Sequence, residues 1–110
     1  MNGTENLSIR PDGGSYYLEG DCWSNTSGNF VHSELRLDDC LGNDHGRFQW
    51  GGRNFSSGAR DITFEIEGAN PVPVLRAELQ DQGVGDYAAR DVNLAERINN
   101  KDGQLTFRRR

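Results

Sequence analysis

An internal repeat limits the folds open to this chain more than any other feature of its sequence. The segment LRLDDCLGNDHGRFQW at residues 35–50 aligns without a gap with VNLAERINNKDGQLTF at residues 92–107, at a constant offset of 57 positions. Five apolar positions match, and so do Asn43 with Asn100 and a glycine three residues further on. An Asn and a Gly kept at one offset indicate a supersecondary unit that is used twice.

The repeat extends upstream, where LEGDC at residues 18–22 aligns with LRAEL at residues 75–79. Two copies are too few for a solenoid, so we predict one compact, pseudo-symmetric domain over residues 1–110, made of repeats at about 1–52 and 53–110. The composition, 34% hydrophobic with 14 Gly, suits a small β-rich domain with many turns. A mainly β fold with short helical turns is therefore expected.

Alternation of apolar and polar residues, together with turn residues, predicts the elements of each repeat. The predicted strands are residues 15–24, 30–32, 47–50, 61–67, 74–80, 87–91 and 104–107. Helical turns are predicted at residues 33–41 and 94–98, the second capped by Asn93. Tight turns are predicted at residues 24–29, 42–46, 81–86 and 99–103. Gly51 and Gly52 form the one linker-like junction, at the seam between the repeats.

Each repeat supplies only a few short strands, so it cannot bury its apolar face unless it packs on its twin. We therefore expect one shared core, in which each fully buried large side chain contributes about 1.5–3 kcal/mol. The predicted core residues are Leu18, Leu35, Leu37, Leu41, Phe48, Trp50, Leu75, Leu79, Val92, Leu94, Ile98, Leu105 and Phe107.

Charge and hydropathy exclude several classes of partner. The net charge is −5, and acidic and basic residues are interspersed except at residues 108–110, so no basic face for nucleic acid is predicted. A solvated arginine tail is favoured over a site for an acidic partner. No apolar run is long enough to cross a bilayer, so no membrane insertion is expected. The first residues, MNGTENLSIRPDGG, do not resemble a signal peptide, and a cytoplasmic location is expected.

Little in the sequence predicts chemistry. Cys22 and Cys40 form neither a metal-ligand set nor a disulfide framework. Two reduced, buried thiols are favoured over one cystine, which stays open. The acidic turns at residues 38–39 and 81–86 lack the alternating ligands of a calcium loop, so they are interpreted as ordinary turn acids. Candidate nucleophiles lack a recognisable base, so we expect no catalysis, no metal and no cofactor.

Taken together, SELRLDDCLGNDHGRFQWGGRNF and RDVNLAERINNKDGQLTF are similar to the repeated L-x-L-x(3)-I-x-N-x-D-G-x-L block of the cyanovirin-N homologue (CVNH) family, with L-x-G/A-x-C upstream. The chain thus resembles a family of small mannose-binding lectins built from two tandem repeats. The resemblance implies an elongated β fold with strands exchanged between the repeats and a sugar site at each end. Family members with disulfides have one cystine in each repeat. In this chain the first pair of positions holds Cys22 and Ser8 and the second holds Leu79 and Ala59, so neither cystine can form.

The resemblance also implies which residues bind sugar. Site A comprises Gly3, Asn6, Leu7, Trp23, Asn25, Asn100, Lys101 and Asp102. Site B comprises Gly42, Asn43, Asp44, His45, Arg53, Asn54, Ser57, Gly58, Gln80, Asp81 and Gln82. Asn43 and Asn100 are equally well explained by turn geometry, because an Asn tolerates φ > 0. Asp102 is not required by its turn and is expected to contact ligand, while Trp23 is either a platform or a cover for its hairpin.

Polar turns of this kind suit a sugar, because a carboxylate or amide beside backbone N–H and C=O groups satisfies neighbouring hydroxyls. The resemblance implies α-linked mannose as the ligand, at the Manα1-2Man ends of high-mannose glycans. Two alternatives stay open: an interaction module that keeps the fold without binding sugar, and a glycan-active enzyme. Site A is expected to bind better than site B, because His45 replaces the carboxylate of Asp102. A monomer is expected from the two-glycine junction.

Overall fold

The computed structural model describes residues 1–81 and 85–109, and within them the chain forms ten β-strands and three short 3-10 helices. The strands are β1 Thr4–Asp12, β2 Ser15–Ser24, β3 Asn29–Arg36, β4 Leu41–Asn43, β5 Phe48–Trp50, β6 Ala59–Glu67, β7 Val72–Gln80, β8 Tyr87–Asn93, β9 Ile98–Lys101 and β10 Gln104–Phe107. The 3-10 helices are Leu37–Asp39, Phe55–Gly58 and Leu94–Glu96. None of the helices in the described ranges has the length and apolarity that a membrane crossing requires.

The strands form two equivalent antiparallel sheets, β1-β2-β3 and β6-β7-β8, and two hairpins, β4-β5 and β9-β10. Equivalent residues pair in equivalent registers: Leu18 lies opposite Leu35 in the first sheet, and Leu75 lies opposite Val92 in the second. The central strands alternate as predicted, so that Leu18 and Leu75 are fully buried. The predicted mainly β, two-repeat fold is confirmed.

Each hairpin packs on the sheet of the other repeat. Strand β10 lies against β3 and β2, and the backbone N–H of Leu105 donates to the hydroxyl of Ser33 at 3.0 Å. In the opposite direction β5 lies against β8, and Arg90 Nε donates to the carbonyl of Gly46 at 2.8 Å. The two halves therefore complete one another's apolar faces.

Most predicted core residues lie in one buried cluster. The predicted residues that are buried are Leu18, Leu37, Leu41, Leu75, Leu79, Val92, Leu94, Ile98 and Leu105. Leu35, Phe48, Trp50 and Phe107 are only partly buried. The last two are repeat equivalents that stack on each other, with ring centroids 5.9 Å apart and planes 19° from parallel. Phe55 was not predicted, yet it is fully buried, because its 3-10 helix directs it inward.

Strand β1 was missed because its alternation is interrupted. A bulge between Glu5 and Ser8 shifts the register, and Asn6 adopts φ 58° there. The second repeat has the same bulge in β6, where Asp61 adopts φ 53°. Strand β1 also contains Pro11, whose missing N–H is tolerated because β1 is an edge strand. Asn6 thus has a backbone role as well as its predicted place in site A.

The helical turns predicted at residues 33–41 are wrong for most of their length. Strand β3 continues to Arg36, which pairs with Tyr17, and only Leu37–Asp39 is helical. The apolar spacing that suggested a helix is that of a strand followed by a single turn. The predicted cap in the second repeat is confirmed, since Asn93 Oδ1 accepts from the backbone N–H of Ala95 at 2.9 Å. The turn predicted at residues 81–86 lies only partly within the described residues.

Asp38 is not the ordinary turn acid that was predicted. Its side chain is buried, at 1% exposure, and all its partners belong to neighbouring segments. One carboxylate oxygen accepts from the backbone N–H of Tyr16 at 2.8 Å, and the other accepts from Ser56 N and Oγ at 3.0 and 2.8 Å. A buried carboxylate is tolerated when it is hydrogen-bonded in this way. Asp38 therefore fastens the first repeat to the start of the second.

The junction between the repeats is packed and ordered, in contrast to the flexible linker that was predicted. Gly51 adopts φ 84° and its N–H donates to the carbonyl of Cys40 at 2.9 Å. A Cβ added at Gly52 would lie 2.9 Å from the Cα of Gly42. Glycine is required here for a turn and for a close approach between backbones.

We expect the protein to be mainly monomeric, because the Gly51–Gly52 turn lets the chain fold back on itself without steric cost. Light scattering at micromolar concentration should give a mass near 12.3 kDa. Replacing Gly52 with Val should raise the dimer fraction, since its side chain would collide with Gly42. A predominant dimer of the parent protein would contradict this expectation.

The two cysteines are buried and free, as predicted. Burial raises the pKa of the Cys22 thiol, and burial beside Asp39 and Asp38 raises the pKa of Cys40 to about 11. Both groups are therefore neutral thiols at physiological pH, with little thiolate available for reaction.

We expect Cys40→Val to change the free energy of unfolding by less than ~1.5 kcal/mol, because the swap nearly conserves volume. Within the described part of the chain, the side-chain polar contact that it removes is the weak one from Cys40 Sγ to the carbonyl of Leu37, at 3.6 Å. Denaturant unfolding measures the stability. A sugar titration of the folded variant should match the parent, and loss of binding would show that Cys40 takes part in the site.

Candidate functional site

Three segments meet at site A through the side chain of Asn100. Its Nδ2 donates to the carbonyls of Gly3 at 3.2 Å and Trp23 at 3.0 Å, while its Oδ1 accepts from the N–H of Gly103 at 2.8 Å. Trp23 N also donates to the carbonyl of Gly3 at 2.7 Å. The β9-β10 turn, the end of β2 and the amino-terminal segment are thus held together. Asn100 thus serves the turn through hydrogen bonds that occupy most of its amide, and not through the tolerance of φ > 0 that was considered for it. The residue of this turn that adopts a positive φ is Asp102, at 51°, so the prediction that the turn does not require Asp102 is wrong.

Asp102 lies on the surface of the same turn and binds the β2-β3 turn of the other repeat. Its Oδ1 accepts from Ser24 Oγ at 3.2 Å and Thr26 N at 3.1 Å, and its Oδ2 accepts from Thr26 Oγ1 at 2.6 Å. The hydrogen bonds from Thr26 are the main cause that lowers the pKa of Asp102. An ionised carboxylate has about four acceptor positions, so this exposed group keeps capacity for a ligand. Sequence analysis missed Ser24 and Thr26, since no motif relates them to Asp102.

The other site A residues surround this contact unevenly. Asn25 Oδ1 accepts from Trp23 Nε1 at 2.9 Å, which fixes both side chains. Asn6 Nδ2 donates to Asp21 Oδ2 at 3.0 Å. Leu7 packs against the core, and a Cβ added at Gly20 would lie 2.7 Å from its methyl group. Lys101 is exposed beside the turn.

Two clefts adjoin site A on the side of the amino-terminal segment. One, of about 440 Å³, is lined by Met1, Asn2, Ala95, Ile98, Asn99 and Asn100. The other, of about 550 Å³, is lined by Met1, Asn2, Gly3, Thr4, Glu5, Asn6, Leu7, Ile66, Asn70, Pro71 and Pro73. Both have the size of a small-molecule site. The larger of the two lies beside the polar turn and is not lined by Asp102, so the charged acceptor and this cleft are neighbours, not one pocket.

Site B repeats the architecture of site A with the roles of the two repeats reversed. Asn43 Nδ2 donates to the carbonyl of Gln80 at 2.9 Å, and its Oδ1 accepts from Gly46 N at 2.8 Å. Gly58 lies beside this amide, since a Cβ added there would be 3.1 Å from Asn43 Nδ2. A Cβ added at Gly46 would be 3.3 Å from the Cβ of Asp81. The fold thus brings these residues, which are separated along the chain, close together.

The remaining site B residues lie beside Gly42. It forms a β-bridge with Asn54, and a Cβ on it would lie 2.9 Å from the backbone N of Arg53. Asn54 adopts φ 59°, and its carbonyl accepts from Ser57 Oγ at 2.9 Å. Gln82, the last residue assigned to this site, lies outside the described residues.

The two sites differ at the position that Asp102 holds in site A and that residue 45 holds in site B. His45 occupies that position, is exposed, and its Nδ1 lies 3.0 Å from Asp44 Oδ1. The carboxylate of Asp44 is thus engaged with the imidazole of its own turn. The residue equivalent to Thr26 is Gly83, which has no hydroxyl and lies outside the described residues. Site B therefore has a different arrangement of charge from site A.

Within residues 1–81 and 85–109, no three His, Cys, Asp or Glu side chains are grouped in a way that could hold a metal ion. The polar side chains of the two sites carry carboxylate and amide groups, together with the ammonium of Lys101 in site A and the imidazole of His45, the guanidinium of Arg53 and the hydroxyl of Ser57 in site B.

Comparison with known proteins identifies the family. A family model described as the CVNH domain matches residues 3–106. The chain belongs to the CVNH family. A cyanovirin-N homolog of Neurospora crassa is 45% identical over 79 residues, which cover 71% of this chain and 70% of the relative.

Solved CVNH structures share the whole fold. The NMR structure of LKAMG, a designed cyanovirin-N homolog lectin, is 44% identical with a TM-score of 0.84, and the match covers 97% of this chain and 96% of that one. GzCVNH of Gibberella zeae is 46% identical with a TM-score of 0.82, and the match covers 96% and 93%. The predicted family and the exchanged two-repeat fold are therefore confirmed.

Two further CVNH structures were solved with sugars. Microvirin, in complex with mannobiose, is 26% identical with a TM-score of 0.74, and the match covers 96% of this chain and 94% of microvirin. A MoCVNH3 variant in complex with (N-GlcNAc)4 is 22% identical with a TM-score of 0.74, and the match covers 96% and 93%. At that identity the second likeness shows the fold alone.

We expect the contact between Asp102 and Thr26 to be lost in acid. The pKa of Asp102 lies below its ordinary value in the folded protein, so its stabilisation is complete above the ordinary pKa, about 3.9, and disappears as pH falls through the lower folded value. The amide resonance of Thr26 should report this titration by NMR. In Thr26→Val the pKa of Asp102 should rise toward the ordinary value, whereas a Thr26 amide insensitive to acid would contradict the contact.

Proposed function

We propose that this CVNH protein is a lectin that binds α-linked mannose, and that its ligand is the Manα1-2Man terminus of high-mannose glycans. The observation that carries the proposal is the carboxylate of Asp102, held on the surface by Ser24 and Thr26 beside the backbone of three converging segments. The complex of microvirin with mannobiose supports the choice of sugar, because microvirin shares the fold over almost the whole chain.

The chemistry of the site fits a pyranose diol. Two neighbouring hydroxyls need acceptors and donors at the same time, and a charged acceptor forms the stronger hydrogen bonds. Asp102 supplies the charged acceptor, and two exposed residues supply donors: Lys101, which precedes Asp102 in the chain, and Asn25, which precedes its partner Thr26. The acceptor is already fixed by its hydrogen bonds to Thr26, so little conformational entropy is lost when a sugar binds.

A titration of isotope-labelled protein with Manα1-2Man tests the proposal directly. Binding at site A should shift the amide resonances of residues 100–103 and 23–26, and binding at site B those of residues 43–46 and 80–81. Manα1-6Man serves as the control for linkage and should bind more weakly. If neither mannobiose shifts any of these resonances at high concentration, the protein is a CVNH module without mannose binding.

We expect site A to be the stronger of the two sites. Asp102→Asn keeps an acceptor oxygen but removes the charge, and it should weaken mannobiose binding about tenfold. The matched variant at site B, Asp44→Ala with His45→Ala, should have the smaller effect, since His45 already engages the Asp44 carboxylate. The amide of Gly103, bonded to Asn100, shows whether the site A turn stays intact, and the amide of Gly46, bonded to Asn43, does so for site B. The assignment is reversed if the site B variant abolishes binding while Asp102→Asn binds like the parent.

A further inference from the structure

An exposed aromatic pair lies beside site A. Trp23 and Phe30 face each other across β2 and β3, with ring centroids 5.3 Å apart and planes at 73°. They are 38% and 45% exposed, whereas the neighbouring Cys22 and Ser24 are buried, so the pair stands on the outer face of the sheet. Among the described residues only Val31 and Ile66 are other large apolar side chains with comparable exposure.

The indole of Trp23 is fixed in place. Its N–H donates to Asn25 Oδ1 at 2.9 Å, and Phe30 contacts it edge to face. Because the single polar atom of the indole is already bonded, what the ring still offers to solvent is apolar. A rigid aromatic surface of this kind provides contact area at low cost in conformational entropy.

In the second repeat, the aromatic ring equivalent to Phe30 is covered by another side chain. Tyr87, the equivalent of Phe30, has the guanidinium of Arg60 3.8 Å from its ring centroid, and Arg60 is held by Glu78 at 2.7 Å. The residue that occupies the place of Arg60 in the first repeat is Glu5, as the equivalent strand registers show. A carboxylate is repelled by the negative face of an aromatic ring, so the first repeat has no such cover from this position.

Polar groups lie two residues further along β2 and β3, on the same face of the sheet as Trp23 and Phe30. Asp21 pairs in register with His32, two residues from the aromatic pair and therefore about 7 Å away along the strands. Asp21 accepts from Asn6 Nδ2 at 3.0 Å, and its other oxygen lies 3.6 Å from His32 Nδ1. An aromatic surface with carboxylate, amide and imidazole groups at its border has the composition of a sugar subsite.

The stereochemistry of pyranoses decides which sugar can stack there. The electron-rich face of a ring attracts a row of C–H bonds, which requires a sugar face without axial oxygens. A β-linked glucopyranose or N-acetylglucosamine has all its substituents equatorial and presents axial C–H bonds on both faces. An α-mannose unit has O1 axial on one face and O2 axial on the other, so it stacks poorly.

We propose that Trp23 and Phe30 form a second type of carbohydrate subsite, which binds an all-equatorial, β-linked glucopyranose unit by stacking. Asp21 and His32 bond the polar substituents at the edge of that unit. The subsite does not depend on mannose binding at Asp102, and it gives the site A end of the molecule two different sugar specificities.

The test uses Trp50→Phe, which keeps an aromatic ring on Phe107 and leaves Trp23 as the one tryptophan of the chain. This variant is titrated with chitotriose, cellotriose and Manα1-2Man, and both Trp23 fluorescence and amide shifts are followed. The β-linked trisaccharides should shift the Trp23 emission to shorter wavelength, saturably, and perturb residues 21–23 and 30–32. Manα1-2Man should perturb residues 100–103 and 23–26 and leave residues 30–32 unchanged, so the amides of residues 30–32 distinguish the two kinds of ligand.

Two further variants separate stacking from structure. Phe30→Ser should weaken binding of the β-linked trisaccharides about tenfold and leave mannobiose binding unchanged. The matched control in the second repeat, Tyr87→Ser, should change neither. If chitotriose binds and cellotriose does not, the subsite is specific for N-acetylglucosamine. If both bind, the subsite recognises the all-equatorial pyranose ring itself.

Three results overturn the proposal. One is a Trp23 signal that responds to neither trisaccharide at millimolar concentration, whether or not mannobiose binds. Another is a loss of mannobiose binding in Phe30→Ser, which would make the pair part of the mannose site. The third is a Trp23 signal that changes with protein concentration alone, together with a doubled mass, which would show that a second copy of the chain covers the pair.

Discussion

The structure depends on the exchange of hairpins between the two repeats. A three-stranded sheet with one apolar face cannot exclude water by itself, and here each sheet is completed by the hairpin of the other half. Leu105 bonds Ser33 in one direction, and Arg90 bonds Gly46 in the other. Where the halves meet, Asp38 is buried and accepts its hydrogen bonds from segments on both sides of the repeat junction.

The same exchange creates the candidate sites, since each turn of one half meets a strand end of the other. Equivalent asparagine amides hold both contacts, so the architecture of the two sites is conserved within the chain. The exposed groups of the two sites differ. At the turns, site A has Asp102 where site B has His45. Beside them, the ring of Phe30 is open, whereas the equivalent ring of Tyr87 is covered by Arg60. A symmetric scaffold thus presents two chemically different surfaces.

Prediction from the sequence succeeded where a pattern is local. The alternation that predicted residues 15–24 and 104–107 matches β2 and β10. It failed for β1, because the bulge at Asn6 interrupts the period, and at residues 33–36, because a strand that leads into one 3-10 turn has nearly the spacing of a helix. The prediction for Asp38 was wrong for a different reason. Its partner Ser56 is 18 residues away, and no sequence pattern indicates that the two residues are in contact.

What the sequence determined by itself is the repeat, and with it the family, the order of seven of the ten strands, and the two polar turns that carry Asn43 and Asn100. These follow from periodicity and turn chemistry, which act over a few residues. Only the tertiary structure decided that Asp102 binds Thr26 from 76 residues away, and that Arg60 covers one aromatic ring while its counterpart stays open. Contacts between distant segments depend on how the halves pack, and packing is a property of the folded chain as a whole.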